Sequence, residues 1–362
     1  MHRLKGTDDK HRIKRVYYRG GKRTMNDHDI EPDQTWIVDR FRPEDAPGVA
    51  RLFRMIYGDG YPIRTFVEPD RLIEENRALR VVSSVARTPK GDIVGHNALF
   101  HSAPSDKIFE SGAGLVHPLY SGGKGIFTDL GVHGIELATN ELQASAVWGE
   151  PVCNHVFAQK AIHSVGWECF AVEVDLMPAS AYTKDKSVSG RVSTLMCFSE
   201  LHPRRHQVFL PRVYDEWLKT IYTKLETSRD MAVSETDPKA GSKSRIEAQI
   251  FDFAQVARIV VSAIGEDFDA AFVQKQAEAL DQKAEVLQVW LPLSDSAVDW
   301  VVNLLRKQGY FFGGLLPRWF DADGMLVQKI IGRPNWDGMR IAHEWSMSVV
   351  EMAKSDWKAV TP

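Results

Sequence analysis

The chain has 362 residues, of which 44% are hydrophobic and 26% charged, and its formal net charge is -3. Such a length can bury two cores, and so even a charge balance excludes a global electrostatic drive toward nucleic acid or a membrane surface. Three cysteines (Cys153, Cys169, Cys197) at no metal-ligand spacing, with no long apolar run and no apolar leader, lead to the expectation of a cytoplasmic protein without disulfides or metal.

Residues 1–34 are basic early, acidic later and poor in aliphatics, the pattern of a flexible tail. A short strand follows at Trp36–Phe41. Arg42-Pro43-Glu44-Asp45 reads as a helix start with acids in its first turn, and Val49, Leu52, Phe53 and Ile56 give the helix one apolar face. A second helix is expected from Pro69 to Ala78. Strands Arg80–Ala86 and Ile93–Phe100 flank the turn Pro89-Lys90-Gly91-Asp92 as a hairpin.

Another strand, Ile108–Val116, runs into the glycine-rich stretch Ser121-Gly122-Gly123-Lys124-Gly125, and a helix opens at Ile126. Glycine permits tight bends and close approach of backbone to a ligand. The first turn of a helix leaves N–H groups that suit phosphate oxygens, and Lys124 adds a positive charge there. The reading continues with a strand at Ala144–Trp148, a helix from Pro151-Val152-Cys153-Asn154 to Val165, and Gly166 as its cap. Strands Trp167–Met177 and Arg191–Phe198 complete the order β-α-α-β-β-β-α-β-α-β-β, a mixed α/β layer.

This order, with these residues, resembles the GNAT superfamily of acyl-CoA-dependent N-acetyltransferases. The resemblance covers about residues 36–200 and rests on three features: the Arg42-Pro43-Glu44-Asp45 opening, the strand ending in Val116-x-Pro118 before Gly123-x-Gly125, and Asn154 ahead of Gly166-Trp167. It implies a mostly antiparallel central sheet flanked by helices, with acetyl-CoA or another acyl-CoA as cosubstrate. It assigns Leu115, Val116, Gly122, Gly123, Lys124, Gly125, Ile126, Phe127 and Asn154 to the cofactor. The pantetheine arm would pair with the strand around Leu115-Val116, whose N–H groups would stabilise the developing oxyanion, an effect of about 2–4 kcal/mol in other oxyanion holes. Glu110 stands where some members place a general base, and Tyr57 and Tyr61 would line the pocket for a small amine or amino-acid-like acceptor. Two features depart from the pattern. The loop begins with Tyr120-Ser121 and is one residue longer, and Ile162, beside His163, stands where a thiolate-protonating tyrosine is common.

Other candidates have plainer readings. His96, His101, His117, His155 and His163 can titrate near neutrality but fit structural or exposed positions. Cys153 has no evident base partner and reads as a small buried hydrophobe.

Residues 201–362 repeat the rhythm. After a bridging helix around Tyr214–Leu225 and a polar loop at Ser228–Ser244 come strands Glu247–Phe253 and Val256–Ile264, a helix Phe268–Leu280, a strand Val286–Leu293 and a helix from Ser294. Gln308-Gly309-Tyr310 then leads into strands Phe311–Leu316 and Met325–Ile331, as Val165-Gly166-Trp167 leads into its own strand. Where the first half has glycines, the second has Gly265-Glu266-Asp267, whose carboxylates repel an anion. The sequence therefore suggests tandem GNAT-like units (35–200 and 201–362), the second degenerate and not binding CoA. The functional expectation is transfer of an acyl group from acyl-CoA to an amine through a ternary complex, or else a CoA-responsive regulatory protein with reduced catalysis. An unpaired edge strand leaves a homodimer open.

Overall fold

The computed structural model describes residues 30–58, 61, 63–182, 188, 190–234 and 236–361; the expected tail therefore lies mostly outside the described residues. The first half runs β1 (Ile37–Arg40), α1 (Ala46–Tyr57), α2 (Pro69–Arg77), β2 (Val81–Arg87), β3 (Ile93–Phe100), β4 (Ile108–Val116), α3 (Ile126–Asn140), β5 (Ala146–Gly149), α4 (Phe157–Ser164), β6 (Glu168–Met177) and β7 (Val192–Glu200). The second runs β8 (Gln207–Leu210), α5 (Asp215–Tyr222), β9 (Asp230–Val233), β10 (Arg245–Phe251), β11 (Val256–Ala263), α6 (Phe268–Asp281), β12 (Val286–Pro292), α7 (Val298–Lys307), β13 (Phe311–Phe320), β14 (Ala322–Ile330) and α8 (Glu344–Val360).

The order expected for the first half is the order found. Three local readings change. Helix α4 starts at Phe157, with Val156 at its N-cap position, so Asn154 lies in the preceding loop and does not cap the helix. The segment read as a polar loop contains β9, which pairs in parallel with β8. Helix α8, packed across β6 and β13, has no counterpart in the first half and no reading above.

The main sheet has 12 strands in the order β1-β2-β3-β4-β5-β7-β6-β13-β14-β12-β11-β10. Along β3-β4-β5-β7-β6 the pairings are antiparallel, parallel, antiparallel, antiparallel. Along β10-β11-β12-β14-β13 the same sequence of senses recurs. Irregularities recur too. Ladder shifts between Cys169 and Ala171 and between Glu173 and Met177 reappear, at one constant step along the chain, between Phe312 and Gly314 and between Leu316 and Phe320. Asp175 and Arg318, which correspond under that step, both have left-handed backbones, with φ 56° and 58°. The halves meet at corresponding residues, Ala171 opposite Gly314. Only glycine fits there: a Cβ on Gly314 would lie 2.3 Å from the Phe170 carbonyl oxygen, and its φ is +136°.

Apolar side chains from α1 and α2 (Val49, Leu52, Phe53, Leu72) pack on β2–β4. Leu137 and Ala138 of α3 join Trp167 and the α8 residues Val349 and Ala353 in a second core. The largest core fills the second half and reaches Trp148 and Phe198 of the first. No helix among the described residues is long and apolar enough to cross a membrane.

Candidate active site

Strand β5 pairs with β4 only over Ile108–Glu110. Beyond that point the β5-side edge of β4 has no strand partner among the described residues. Ala113 explains the separation. Its φ of 51° marks a bulge in the β3–β4 ladder, and a bulge bends the strand that carries it. The imidazole Nδ1 of His96 lies 3.0 Å from the Ala113 carbonyl and its Nε2 lies 3.1 Å from Ser83 Oγ. Burial lowers the His96 pKa to about 4, so the ring is neutral and structural.

The open edge of β4 leads to the glycine turn. Gly122, Gly123 and Gly125 all have positive φ, 88°, 93° and 89°, and a Cβ added at Gly122 or Gly123 would meet nothing within 4 Å. Gly125 occupies the N-cap position of α3. Among the described residues no backbone acceptor meets the amides of residues 122–128, as expected for a helix start without a capping side chain. The turn thus presents a run of free donors at a helix N-terminus, the arrangement that binds phosphate. The Lys124 ammonium lies 2.7 Å from Asp33 Oδ1 and 3.3 Å from the Leu119 carbonyl oxygen. Asp33, whose carboxyl this lysine holds below its ordinary range, is largely exposed.

Behind the turn a cleft of about 40 Å³ lies between α3, α4 and β4, lined by Asn97, Ser111, Phe127, Gly131, Ile162 and Trp167 among others. Phe127 lies across Gly114, where a Cβ would come within 3.0 Å of its ring. The Ile126 side chain is buried against Gly95, which leaves its amide as its means of meeting a ligand. Leu115 is buried in the α1–α2 core and Val116 packs beside Ile126. Asn154 is buried in the loop between β5 and α4.

Glu110 projects from β4 into a charged cluster. Burial raises its pKa, with Ser102 and Arg258 acting against the rise and Glu173 adding to it. The Arg258 guanidinium Nη2 donates to Glu150 Oε1 at 3.0 Å and to Glu173 Oε1 at 3.2 Å. Burial, and then the neighbouring Glu173 and Glu110, push Glu150 well above the usual carboxylate range. Tyr61 is close enough for Glu110 to act on its phenol. Its ring stacks on Tyr57 at 4.8 Å and tilts against Phe53 at 5.2 Å. The structure therefore gathers Glu110, Tyr57 and Tyr61 on one side of β4, and the glycine turn, Phe127 and Ile162 at the other. Glu150, Glu173, Arg258 and Ala113 escaped the sequence reading. Glu173 and Arg258 had a visible signal, a charge inside an apolar strand run.

The plainer readings fit. His117 Nδ1 accepts from the Leu119 N–H at 3.2 Å, the His101 ring lies tilted against Phe109 at 4.1 Å, and the His163 ring lies tilted against His343 at 3.9 Å. His155 packs against Phe157. Burial raises the Cys153 thiol pKa, which disfavours a nucleophilic thiolate. Among the described residues no group of three or more His, Cys, Asp or Glu is placed to hold a metal ion. A cavity of about 510 Å³ sits at the junction of the halves beside Asp175, Arg191, Glu285 and Asn335, and no residue of the glycine turn lines it.

No family model matches the chain, and no curated protein does either. Among solved structures, similarity is found to a protein described as an acetyltransferase from Salmonella typhimurium with acetyl-CoA (15% identity, 47% of this chain and 96% of that one, TM-score 0.38). It is found also to an N-acetyltransferase from Staphylococcus aureus (12% identity, 46% and 99%, TM-score 0.39). A third is a spermidine N-acetyltransferase from Vibrio cholerae in complex with CoA and spermine (13% identity, 46% and 96%, TM-score 0.36).

Proposed function

We propose that this chain is a GNAT-type acyltransferase that moves an acyl group from acyl-CoA to a small amine, and that residues 35–200 form the acyl-CoA-binding unit. Residues 201–362 are then a second, degenerate unit of the same kind. The observation that carries this reading is the open glycine turn at the end of a bulged strand whose edge has no strand partner among the described residues beyond Glu110. The free amides of residues 122–128 would take the diphosphate, and the pantetheine arm would lie along the unpaired edge of β4, with its N–H groups toward the thioester oxygen.

The acceptor would enter from the side of Tyr57 and Tyr61. An alkylammonium with a pKa near 10.4 is almost wholly charged at pH 7, so it must lose a proton before attack. Glu110 would take it. The amine nitrogen then bonds to the carbonyl carbon, the C–S bond breaks, and the second amine proton leaves with the sulfur as CoA thiol. No metal enters this scheme, nucleic acid and membrane are not partners in it, and a cytoplasmic setting is compatible with it.

One observation favours a second reading, a CoA-responsive regulatory protein. Ile162 lines the cleft where the resemblance places a proton-donating tyrosine. Thiol release from acetyl-CoA in the presence of an amine panel separates the two, and the three buried cysteines keep the background of a thiol reagent low. Amine-dependent release supports transfer. Tight binding without release supports the regulatory reading.

A further inference from the structure

Corresponding strands place opposite charges at corresponding positions. Ile108 pairs with Ala146 at the start of the β4–β5 ladder and Val256 with Val286 at the start of the β11–β12 ladder. Glu110 and Arg258 therefore each stand third in their strands, one in each half. Because the halves join through Ala171 and Gly314, these two positions face a common interior. By the same registers Glu150 corresponds to Trp290 and Glu173 to Leu316, so the second half has no copy of the first half's acids.

We propose that Arg258 is a positioning residue of the acyl-transfer site, supplied by the C-terminal half, which fixes Glu150 and Glu173 and provides the positive charge against which Glu110 ionises. The inference rests on the acyl-transfer reading and gives the second half a part in it. Arg258 is itself held. Its Nε donates to Gln288 Oε1 at 3.0 Å, and Gln288 Nε2 donates to Glu173 Oε1 at 2.8 Å. Thr194 Oγ1 donates to Glu173 Oε2 at 3.1 Å. The rings of Trp290 and Phe251 lie 5.3 and 5.4 Å from the guanidinium carbon. Around Glu110 the facing groups are Ser102, Tyr61, Glu150, Glu173 and Arg258, and around Glu150 they are Glu173, Glu110 and Arg258. Two carboxylates thus bond to one guanidinium, and the third, Glu110, lies within its electrostatic reach. A purely structural ion pair would match charge for charge, since an unpaired buried charge is costly. Here an excess of acids is held around one cation, which leaves a carboxylate able to exchange a proton.

The test uses full-length Arg258→Gln and Arg258→Lys. Loss of the cation favours protonated Glu110, so the acid limb of the kcat/KM profile should move up by about one pH unit or more, with roughly tenfold loss at pH values on that limb. The KM for acetyl-CoA should stay unchanged, and R258K should restore most of the shift. An unmoved acid limb in a folded R258Q overturns the inference. Should R258Q not fold, Gln288→Met serves, since it frees Arg258 Nε and should move the limb the same way by less. Infrared titration of the carboxylic-acid carbonyl band, assigned with Glu110→Gln, reads the same equilibrium without turnover. A midpoint that rises when Arg258 becomes Gln supports the inference, and an unchanged midpoint overturns it. Failure of acetyl-CoA to bind or turn over overturns the acyl-transfer reading instead.

Discussion

Two turns on corresponding paths, β4 to α3 and β11 to α6, differ in what fills them. In the first, Gly122 and Gly123 face open space and the helix start keeps its donors free. In the second, the chain fills its own site. The Gly265 N–H donates to Ser244 Oγ at 2.9 Å, and the Ser244 N–H donates to Asp267 Oδ1 at 2.7 Å. The Gly241 N–H donates to Glu266 Oε2 at 2.9 Å, and a Cβ on Gly265 would lie 2.4 Å from the Lys243 backbone. One backbone path can leave its helix-start donors open or occlude itself, and in the second turn the occlusion comes from Ser244 and two acidic side chains, Glu266 and Asp267.

The sharpest way to break this comparison is Gly123→Leu. A non-glycine at positive φ costs about 1–2 kcal/mol of strain, but its Cβ meets no atom within 4 Å, so the protein should still fold. The side chain would cover the amides, and acetyl-CoA affinity should fall at least about 100-fold, or roughly 3 kcal/mol. Calorimetry of the variant checks this, and unchanged affinity would show that the turn is only a connection. Gly265→Ala should do the reverse. Its methyl group strikes backbone, so thermal or urea unfolding should show a loss of about 2 kcal/mol, with acetyl-CoA affinity per folded chain unaltered.

The halves differ also at their corresponding left-handed residues, Asp175 and Arg318. Burial raises Asp175 to a pKa of about 6, against the Asn335 N–H and Arg191, which lower it. A carboxyl raised in the folded state contributes stability that is full below its unfolded pKa near 3.8 and is lost as pH rises through about 6. Asp175→Asn keeps an acceptor for the Asn335 N–H and tolerates the left-handed backbone. It should remove that slope, gaining about 2 kcal/mol at pH 8 relative to pH 4. Parallel unfolding curves for variant and wild type across this range would refute the assignment. The smallest effect is expected of Lys124→Ala. Its partner Asp33 is exposed, so folding stability should change by less than about 1 kcal/mol, with acyl-CoA binding weakened a few-fold and less dependent on salt.

Much of this was legible in the sequence because the signals were local. The apolar spacing of Val49, Leu52 and Phe53 defined α1, and Ser121-Gly122-Gly123-Lys124-Gly125 between an apolar strand and a helix defined the turn. The rhythm Gly166-Trp167 against Gly309-Tyr310 pointed to strand pairings whose senses recur in the second half. What stayed hidden depends on distant contacts. β8 and β9 are four residues each and gain their pairing only across an intervening helix. The helix read as opening at Pro151–Asn154 starts at Phe157, and Val152 ahead of it bridges to Thr194, a residue 42 positions away. Glu150 and Arg258 meet only once the halves are joined at Ala171 and Gly314, and no spacing along the chain encodes that meeting.

The central claim is that one turn is open and its counterpart closed. Calorimetric titration of acetyl-CoA into the full-length protein tests it most directly. The account predicts one site per chain, abolished by Gly123→Leu and untouched by Gly265→Ala. Two equivalent sites, no heat, or a single site indifferent to Gly123 would contradict it.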